Sequence, residues 1–315
     1  MCRKRSHLIR TPMQNVRLPS AAVPAELPAS IRLSVVSPSP EPPGGDRWLH
    51  EIKHDRHRVA AIVDGRGGLR LISRRGRDRT RLLGAPFREL AAIGREIVLD
   101  GEVAVPDDRG VTHIGDLQEA ILLRRPERLA YFAFDLLHLD GHDLRGCAVE
   151  ERKALLRDTL DRASCPRVVY LDHVIGRGAP LFAQIRIIGA EGIVSKRLGS
   201  QYRGGPTRDW LKTKRYAAGW FVITGFQELG PGRLEALHVA EETERSLVPV
   251  GQVRFGFAGK GLWATLSARR AGSAGRHGVI PIEPLRAEMK FFGRHKGGAL
   301  RDGVLLSVEG VPVTG

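Results

Sequence analysis

Four short segments of the chain carry charged side chains at a spacing that could support phosphate chemistry. In the first, the side chains of Glu51, Lys53 and Asp55 share one face if the segment is a strand, because alternate strand residues point the same way. A lysine amine acts as a nucleophile when it is neutral, and nearby cations favour that form. The plainer interpretation of this segment is a mixture of surface charges.

The other three segments add carboxylates and a pair of lysines. Asp100 and Glu102 share a strand face beside a glycine that permits close backbone approach, and Glu191 begins an apolar strand. Lys212 and Lys214 project from one face, where they repel each other unless an anion lies between them. Phosphate is the natural candidate. Each segment alone has a plainer interpretation, as a turn, a solvated strand end or a solvated face.

Two regions of different character must position these segments. Before residue 217, alternating patterns predict a strand pair over 48–65, whose sheet continues over 65–75, and strands within 96–105, 128–141, 190–200 and 209–216. Helical spacing predicts helices over 85–94, 150–163 and 180–190. The pair Asp64-Gly65 predicts a hairpin turn. After residue 217, about five short strands and a helix over 260–272 are typical of an OB-fold.

Composition narrows the class of protein. Of the 315 residues, 42% are hydrophobic, which supports real cores, and the net charge of +15 favours a polyanionic partner. The three cysteines form no CxxC pair and no zinc spacing, so neither a disulfide framework nor a structural zinc is expected. No apolar run reaches the length of about 18 residues that a membrane span needs.

The ordered set of segments resembles the covalent nucleotidyltransferase superfamily of ATP-dependent DNA ligases and RNA-capping enzymes. It is most similar to the ligase domain of the bacterial end-joining ligase D. The motif KxDGxR is matched by Lys53, Asp55 and Arg58. The segments SRRG, LDGE, YFAFDLLHLDG, EGIVSK and WLKTK resemble later motifs in the family's order. Several motifs in the right order are far more specific than any one of them.

The resemblance implies a role for each of ten residues. Lys53 is the nucleophile that becomes lysyl-AMP, and Glu191 is associated with the metal. The nucleotide-binding residues are Glu51 at the base, Arg58, Arg74, Glu102 at the ribose, Phe134 stacked on adenine, Lys212 and Lys214 at the phosphates, and Arg301 at the pyrophosphate. The implied cofactors are ATP and Mg²⁺, with Mn²⁺ as an alternative metal.

The resemblance also implies a domain plan and a setting. The fold class is α+β: a nucleotidyltransferase domain of ATP-grasp-like antiparallel sheets with helices over residues 30–216, then a small β-barrel OB-fold domain over 217–315. A disordered basic leader over 1–29 is expected to precede them. The implied partner is DNA with nicks or double-strand breaks, and a Ku-like end-joining protein is a candidate partner. The chain is expected to be monomeric, cytoplasmic and nucleoid-associated.

One departure from the motif keeps alternatives open. Arg56 stands where KxDGxR has glycine, and a bulky side chain there predicts weakened or absent self-adenylation. The chain would then be a degenerate relative that binds broken DNA without forming covalent AMP. An RNA-capping guanylyltransferase is a further alternative, which a choice of GTP over ATP would reveal.

Overall fold

The computed structural model describes residues 17–54, 57–112, 114–163, 165–230, 232–257, 261–275, 277–295 and 297–311. The first part of the chain contains β1 (Val23–Pro24), β2 (Ser34–Pro38), β3 (Trp48–Ile52), β4 (His57–Asp64), β5 (Leu69–Ser73), α1 (Thr80–Leu83), a 3-10 helix (Ala85–Ile93), β6 (Glu96–Ala104), α2 (Ile114–Leu122), a second 3-10 helix (Pro126–Arg128), β7 (Ala130–Leu139), β8 (His142–Asp143), α3 (Val149–Asp161), β9 (Val168–Tyr170), β10 (His173–Ile175), α4 (Gly178–Ile188), β11 (Gly192–Arg197) and β12 (Gly205–Lys214).

The last hundred residues form a second group of elements. These are β13 (Ala217–Gly230), β14 (Arg233–Glu242), β15 (Leu247–Val253), α5 (Leu262–Ala268), β16 (Ile280–Phe291), β17 (Gly293–Arg294), β18 (Leu300–Arg301) and β19 (Val304–Val308). In the part of the chain that the structure describes, no helix is long and apolar enough to cross a membrane.

Two sheets face each other in the first group. One has the order β1-β8-β7-β6-β4-β5, with β9 paired to β7, and the other has the order β10-β3-β11-β12-β2. Strand β4 shows how the layers form, because its alternate residues point to opposite faces. Val59 and Ala61 join a core covered by helices, whereas Ala60 and Ile62 join the core between the two sheets, beside Trp210.

The predicted hairpin is confirmed, but one strand pairing was wrong. β4 and β5 pair as an antiparallel hairpin across the turn after Asp64. The sequence pattern also made residues 48–65 one strand pair, whereas β3 lies in the second sheet, between β10 and β11. The chain therefore crosses from one sheet to the other between Ile52 and His57, and the predicted nucleophile Lys53 lies at that crossing.

Glycine at position 101 permits a close approach inside the first sheet. A Cβ atom there would lie 2.5 Å from the Tyr131 ring and 2.7 Å from the Phe132 carbonyl oxygen. The Tyr131 hydroxyl uses that space to donate to the backbone oxygens of Val59 and Leu99. The glycine in the Asp-Gly-Glu segment thus lets β6 and β7 pack around a buried tyrosine.

The third sheet has the order β15-β14-β13-β16-β19, with α5 between the third and fourth strands in sequence. An isolated bridge from Phe255 to Val304 joins its two edges at one point. The described strands nevertheless form no continuous closed barrel, so the OB-fold stays a prediction. The sheet has its own core, which begins at Phe221, so separate cores lie on either side of the predicted boundary at 216/217.

The start of the chain differs from the predicted leader. Residues 1–16 lie outside the described residues. From residue 17 to 29 the structure shows order where disorder was predicted, because β1 pairs with β8 and the side chains of Leu18 and Ala22 pack against the first core.

Candidate functional site

A cavity of about 470 Å³ lies between the two facing sheets and gathers most of the predicted site. Nine of the ten residues assigned by resemblance line it, namely Glu51, Lys53, Arg58, Arg74, Glu102, Phe134, Glu191, Lys212 and Lys214. They come from β3, β4, β6, β7 and β12, from the connections after β3 and β5, and from the position just before β11. Segments that are far apart in sequence therefore meet in one place.

Lys53 follows directly after β3 and is held beside β11. Its backbone N–H donates to the Gly192 carbonyl at 2.9 Å, which extends the pairing of the two strands. The Lys53 Nζ atom lies 2.9 Å from Glu191 Oε2, and the Lys53 side chain is 15% exposed. The amine thus reaches the cavity while a carboxylate oxygen stands within proton-transfer distance.

The Glu191 carboxylate lies between two lysines. Its Oε2 atom accepts from Lys53, and its Oε1 atom lies 3.2 Å from Lys214 Nζ. The Oε1 atom is buried and accepts no well-aligned hydrogen bond from any described residue, so the Lys214 contact is an ion pair only. A buried carboxylate oxygen that accepts no well-aligned hydrogen bond keeps a lone pair that suits a hard divalent cation such as Mg²⁺.

The donor set fits a metal that is shared with a substrate. No group of three or more His, Cys, Asp or Glu side chains among the described residues could hold a metal ion. Magnesium keeps several waters and binds through one or two carboxylates together with substrate phosphates. Glu191 therefore fits as one protein ligand, with phosphates and water completing the coordination.

The two lysines of β12 have opposite electrostatic settings. Burial lowers the pKa of Lys212, and the neighbouring Lys214 and Lys53 lower it further. Burial also opposes the charge of Lys214, but its hydrogen bond to Asp302 and the attraction of Glu191 raise the pKa of Lys214 overall. The Lys214 Nζ atom lies 2.9 Å from Asp302 Oδ2. Lys212 is thus the lysine that gains most from an added anion.

Arginines surround the mouth of the cavity. The connection after β5 contributes Arg74, Arg75, Arg77 and Arg79, of which only Arg74 was assigned from the sequence. The other three arginines belong to the run SRRGRDR, but no sequence pattern assigned them a role. Clustered guanidinium groups are suited to phosphate oxygens.

The opposite end of the cavity is apolar and contains one carboxylate. Leu171, Val194, Phe134 and Trp210 line it together with Glu51. The ring centroids of Phe134 and Trp210 are 6.5 Å apart in an edge-on arrangement. Aromatic and aliphatic walls at one end and cations at the other match the two ends of a nucleotide.

Arg58 supports the cavity wall from behind. Its guanidinium donates to both oxygens of Asp100 at 3.0 and 2.6 Å and to the Ser34 carbonyl at 2.6 Å. The Asp100 carboxylate also accepts from the Tyr202 hydroxyl at 2.7 Å. The same guanidinium lies 5.3 Å from the Phe134 ring centre, so this network fixes the aromatic wall.

The structure places Arg301 outside the first cavity. It lies in β18 against the Phe292 ring, with its guanidinium carbon 4.6 Å from the ring centre, and lines a neighbouring cavity of about 740 Å³. Glu191 borders both cavities. The neighbour of Arg301, Asp302, is the residue that meets Lys214. The predicted role of Arg301 at pyrophosphate stays a prediction.

Two lysines of the site had no assigned role in the sequence. Lys153 of α3 and Lys196 of β11 are both buried and both pair with Glu51. Lys196 closes the segment EGIVSK, whereas no local signal marked Lys153. Asp55, which matches the motif, and Arg56, which replaces its glycine, lie outside the described residues.

Comparison with known proteins gives a consistent result. Residues 40–214 match the family model of the ATP dependent DNA ligase domain. The chain is 34% identical over 243 residues to the multifunctional non-homologous end joining protein LigD of Pseudomonas aeruginosa, an alignment that covers 75% of this chain and 29% of that protein. It is 36% identical over 193 residues to LigD of Mycobacterium tuberculosis, which covers 59% and 24%. The chain thus spans less than a third of these relatives.

Solved structures show the same similarity in three dimensions. A mycobacterial DNA ligase D complexed with ATP and MES superimposes with a TM-score of 0.54 at 26% identity, over 88% of this chain and 94% of that one. A Lig E DNA ligase superimposes with a TM-score of 0.64 over 89% and 100%. Its 16% identity supports likeness of fold alone.

Proposed function

Because the chain belongs to the ATP-dependent DNA ligase family, we propose that it seals breaks in DNA through a lysyl-AMP intermediate on Lys53. The observation that carries the proposal is the Lys53 amine at 2.9 Å from Glu191, inside a cavity with a cationic end and an apolar end. ATP fits this cavity with its base toward Phe134 and its phosphates toward Lys212 and Lys214. The setting is end joining, as in the LigD relatives.

In the proposed first step, the Lys53 nitrogen forms a bond to the α-phosphorus of ATP. The bond from that phosphorus to the bridging oxygen breaks, and pyrophosphate leaves with the electron pair. Glu191 Oε2 is placed to take the proton from the Lys53 amine. Lys212, Lys214 and Arg74 neutralise phosphate charge, which is the main requirement of such transfers.

In the later steps, AMP passes from Lys53 to a DNA 5′-phosphate, and a 3′-hydroxyl then displaces AMP to leave a phosphodiester bond. Glu191 would hold Mg²⁺, which stabilises charge on the phosphate oxygens when it is bound. The proposal also keeps the C-terminal sheet as an OB-fold that contacts DNA, and a Ku-like protein as a candidate partner. Monomeric action at the nucleoid is part of the same proposal.

The test is covalent labelling with ATP that carries ³²P at the α-phosphate, in the presence of Mg²⁺, followed by denaturing electrophoresis. We expect the parent to retain label and Lys53→Ala to lose it. Lys290→Ala is the matched control, because Lys290 lies on β16 and contacts Tyr216 away from the cavity. Intact-mass measurement beforehand identifies protein that already carries AMP.

Two further outcomes separate the alternatives. No label in the parent, with the protein folded and free of AMP, would contradict the ligase proposal and favour a DNA-binding relative without self-adenylation. Label from GTP rather than ATP would instead indicate a guanylyltransferase. Conversion of a nicked duplex to a sealed strand by the parent alone completes the test of the DNA steps.

A further inference from the structure

Glu51 is a buried carboxylate that faces the apolar end of the cavity, and two lysines occupy its other sides. We propose that Lys153 is a positioning residue that holds Glu51 as a hydrogen-bond acceptor for the 6-amino group of adenine, and thereby makes the site prefer ATP to nucleotides with a 6-oxo base. The inference rests on the proposed use of this cavity for ATP.

The contacts of Lys153 hold the Glu51 carboxylate in one position. Its Nζ atom lies 2.5 Å from Glu51 Oε1 and donates to the Leu171 carbonyl at 2.8 Å. The side chains of Lys153 and Glu51 are 1% and 2% exposed. The Nζ atom also lies 4.6 Å from the centre of the Tyr170 ring, which limits its movement on that side. Lys153 therefore has few alternative positions.

Lys196 contacts Glu51 from the second side, but in a weaker electrostatic setting. Its Nζ atom lies 2.9 Å from Glu51 Oε2 and donates to the Phe134 carbonyl at 3.0 Å. Burial lowers the pKa of Lys196 although Glu51 attracts its charge. Burial opposes the charge of Lys153 too, yet the attraction of Glu51 raises the pKa of Lys153. Of the two lysines beside Glu51, Lys153 is thus the one whose protonated form is more strongly favoured.

A carboxylate that is paired in this way accepts hydrogen bonds and donates none. Its two oxygens offer about four acceptor positions, of which Lys153 occupies one on Oε1 while Lys196 contacts both oxygens. An acceptor position toward the cavity suits the amino group at position 6 of adenine. The carbonyl oxygen at position 6 of guanine or hypoxanthine would instead meet a negative charge. Leaving a buried polar group unmatched is what makes such sites selective.

The experiment measures equilibrium binding of ATP and of inosine triphosphate in EDTA, so that no adenylation follows. Inosine triphosphate is the probe because its base carries oxygen where adenine carries the 6-amino group. We expect the parent to prefer ATP by about 10- to 100-fold, the range of one hydrogen bond to a charged group. Lys153→Met should bring this ratio to within about threefold of unity, and Lys153→Arg should restore part of it.

Arg157→Met is the matched control. Arg157 lies one turn further along α3, with its guanidinium 5.0 Å from the same Tyr170 ring, but it pairs with Asp161 and Asp172 rather than with Glu51. It should keep the ratio of the parent. Lys153→Gln removes the charge with less loss of hydrogen bonding, and it replaces Lys153→Met if that variant does not fold.

A purely structural role for Lys153 would weaken both nucleotides equally and leave the ratio unchanged, and that result would overturn the inference. A double-mutant cycle with Glu51→Gln adds a second check, because Lys153→Gln should then change the ratio no further. Absence of any preference in the parent would also overturn it, even if Lys53 labels normally. Failure of Lys53 to label, with the binding preference intact, would instead count against the proposed function alone.

Discussion

The ion pair between Asp135 and Arg152 lies wholly inside the protein, so removing one of its two charges should strongly destabilise the fold. Both side chains are 0% exposed, and the guanidinium donates to the two carboxylate oxygens at 2.7 and 2.9 Å. Asp135→Asn keeps the shape and removes the charge. Arg152 would keep the carbonyl oxygens of Cys147 and Ser200 as acceptors, at 2.6 and 3.1 Å. Among the described residues, no carboxylate would then remain in hydrogen-bond contact with Arg152.

Breaking one partner of a buried ion pair costs about 3–5 kcal/mol, because an uncompensated charge stays inside the protein. The remaining carbonyl acceptors place Asp135→Asn near the lower end of that range. A loss of about 3 kcal/mol is large against the roughly 5–15 kcal/mol of a typical domain. At a slope of about 1–3 kcal/mol per molar urea, the midpoint should fall by about 1 M or more.

The matched control is an ion pair with the same chemistry at the surface. Arg145 donates to both oxygens of Asp143 at 2.7 to 3.0 Å, but the two side chains are 47% and 20% exposed. Asp143→Asn should cost no more than about 1 kcal/mol because water screens this pair. Urea unfolding is followed by tryptophan fluorescence and circular dichroism, and coincident curves establish a single transition. Equal losses in the two variants would refute the reasoning from burial.

Two further predictions concern the phosphate end of the cavity. Asp302→Asn should strengthen ATP binding about fivefold, because Lys214 would no longer share its charge with a partly exposed carboxylate that repels phosphate. Weaker binding by this variant in calorimetry would show that Asp302 helps to hold the nucleotide. Binding by the parent should weaken at a pH below the ordinary lysine pKa of 10.5, because burial, Lys214 and Lys53 lower the pKa of Lys212, so that it loses its proton earlier than an ordinary lysine. Lys212→Arg should flatten that loss since arginine stays charged, and parallel profiles for the two proteins would exclude Lys212 as the cause.

Strand alternation explains why residues of one segment could be predicted to share a face, whereas their roles in the site were predicted from the resemblance to the ligase family. Glu51 and Lys53 lie two residues apart and both reach the cavity, as do Lys212 and Lys214. Their facing direction follows from a period of two, which is a local property. The helices near 150–163 and 180–190 were predicted from helical spacing, which is also a local property, and the structure has α3 and α4 there.

The errors come from pairings between distant parts of the chain. The sequence pattern predicted that β3 and its neighbour β4 lie in the same sheet. The hydrogen-bond partners of β3 are instead β10 and β11, more than a hundred residues away. The helix α2 was not predicted, since its nine residues include Gly115, which lowers local helix propensity. The burial of Lys153 could not be predicted from the sequence, because lysines are almost never fully buried unless they are paired. The partner of Lys153 is Glu51, which is distant in sequence.

The charges of the cavity divide into two functional groups. Among the described lining residues, Arg58 is bound to the buried Asp100 behind the aromatic wall, and Lys196 is bound to Glu51 at the apolar end. Both cations therefore shape the apolar end. The arginines after β5, together with Lys212, face the open end, where an anion would relieve their mutual repulsion. Lys53 lies at the boundary, paired with the carboxylate of Glu191. If the base of ATP lies at the apolar end and its phosphates lie at the cationic end, the α-phosphorus lies at this boundary. The proposed attack by Lys53 requires the α-phosphorus at that position.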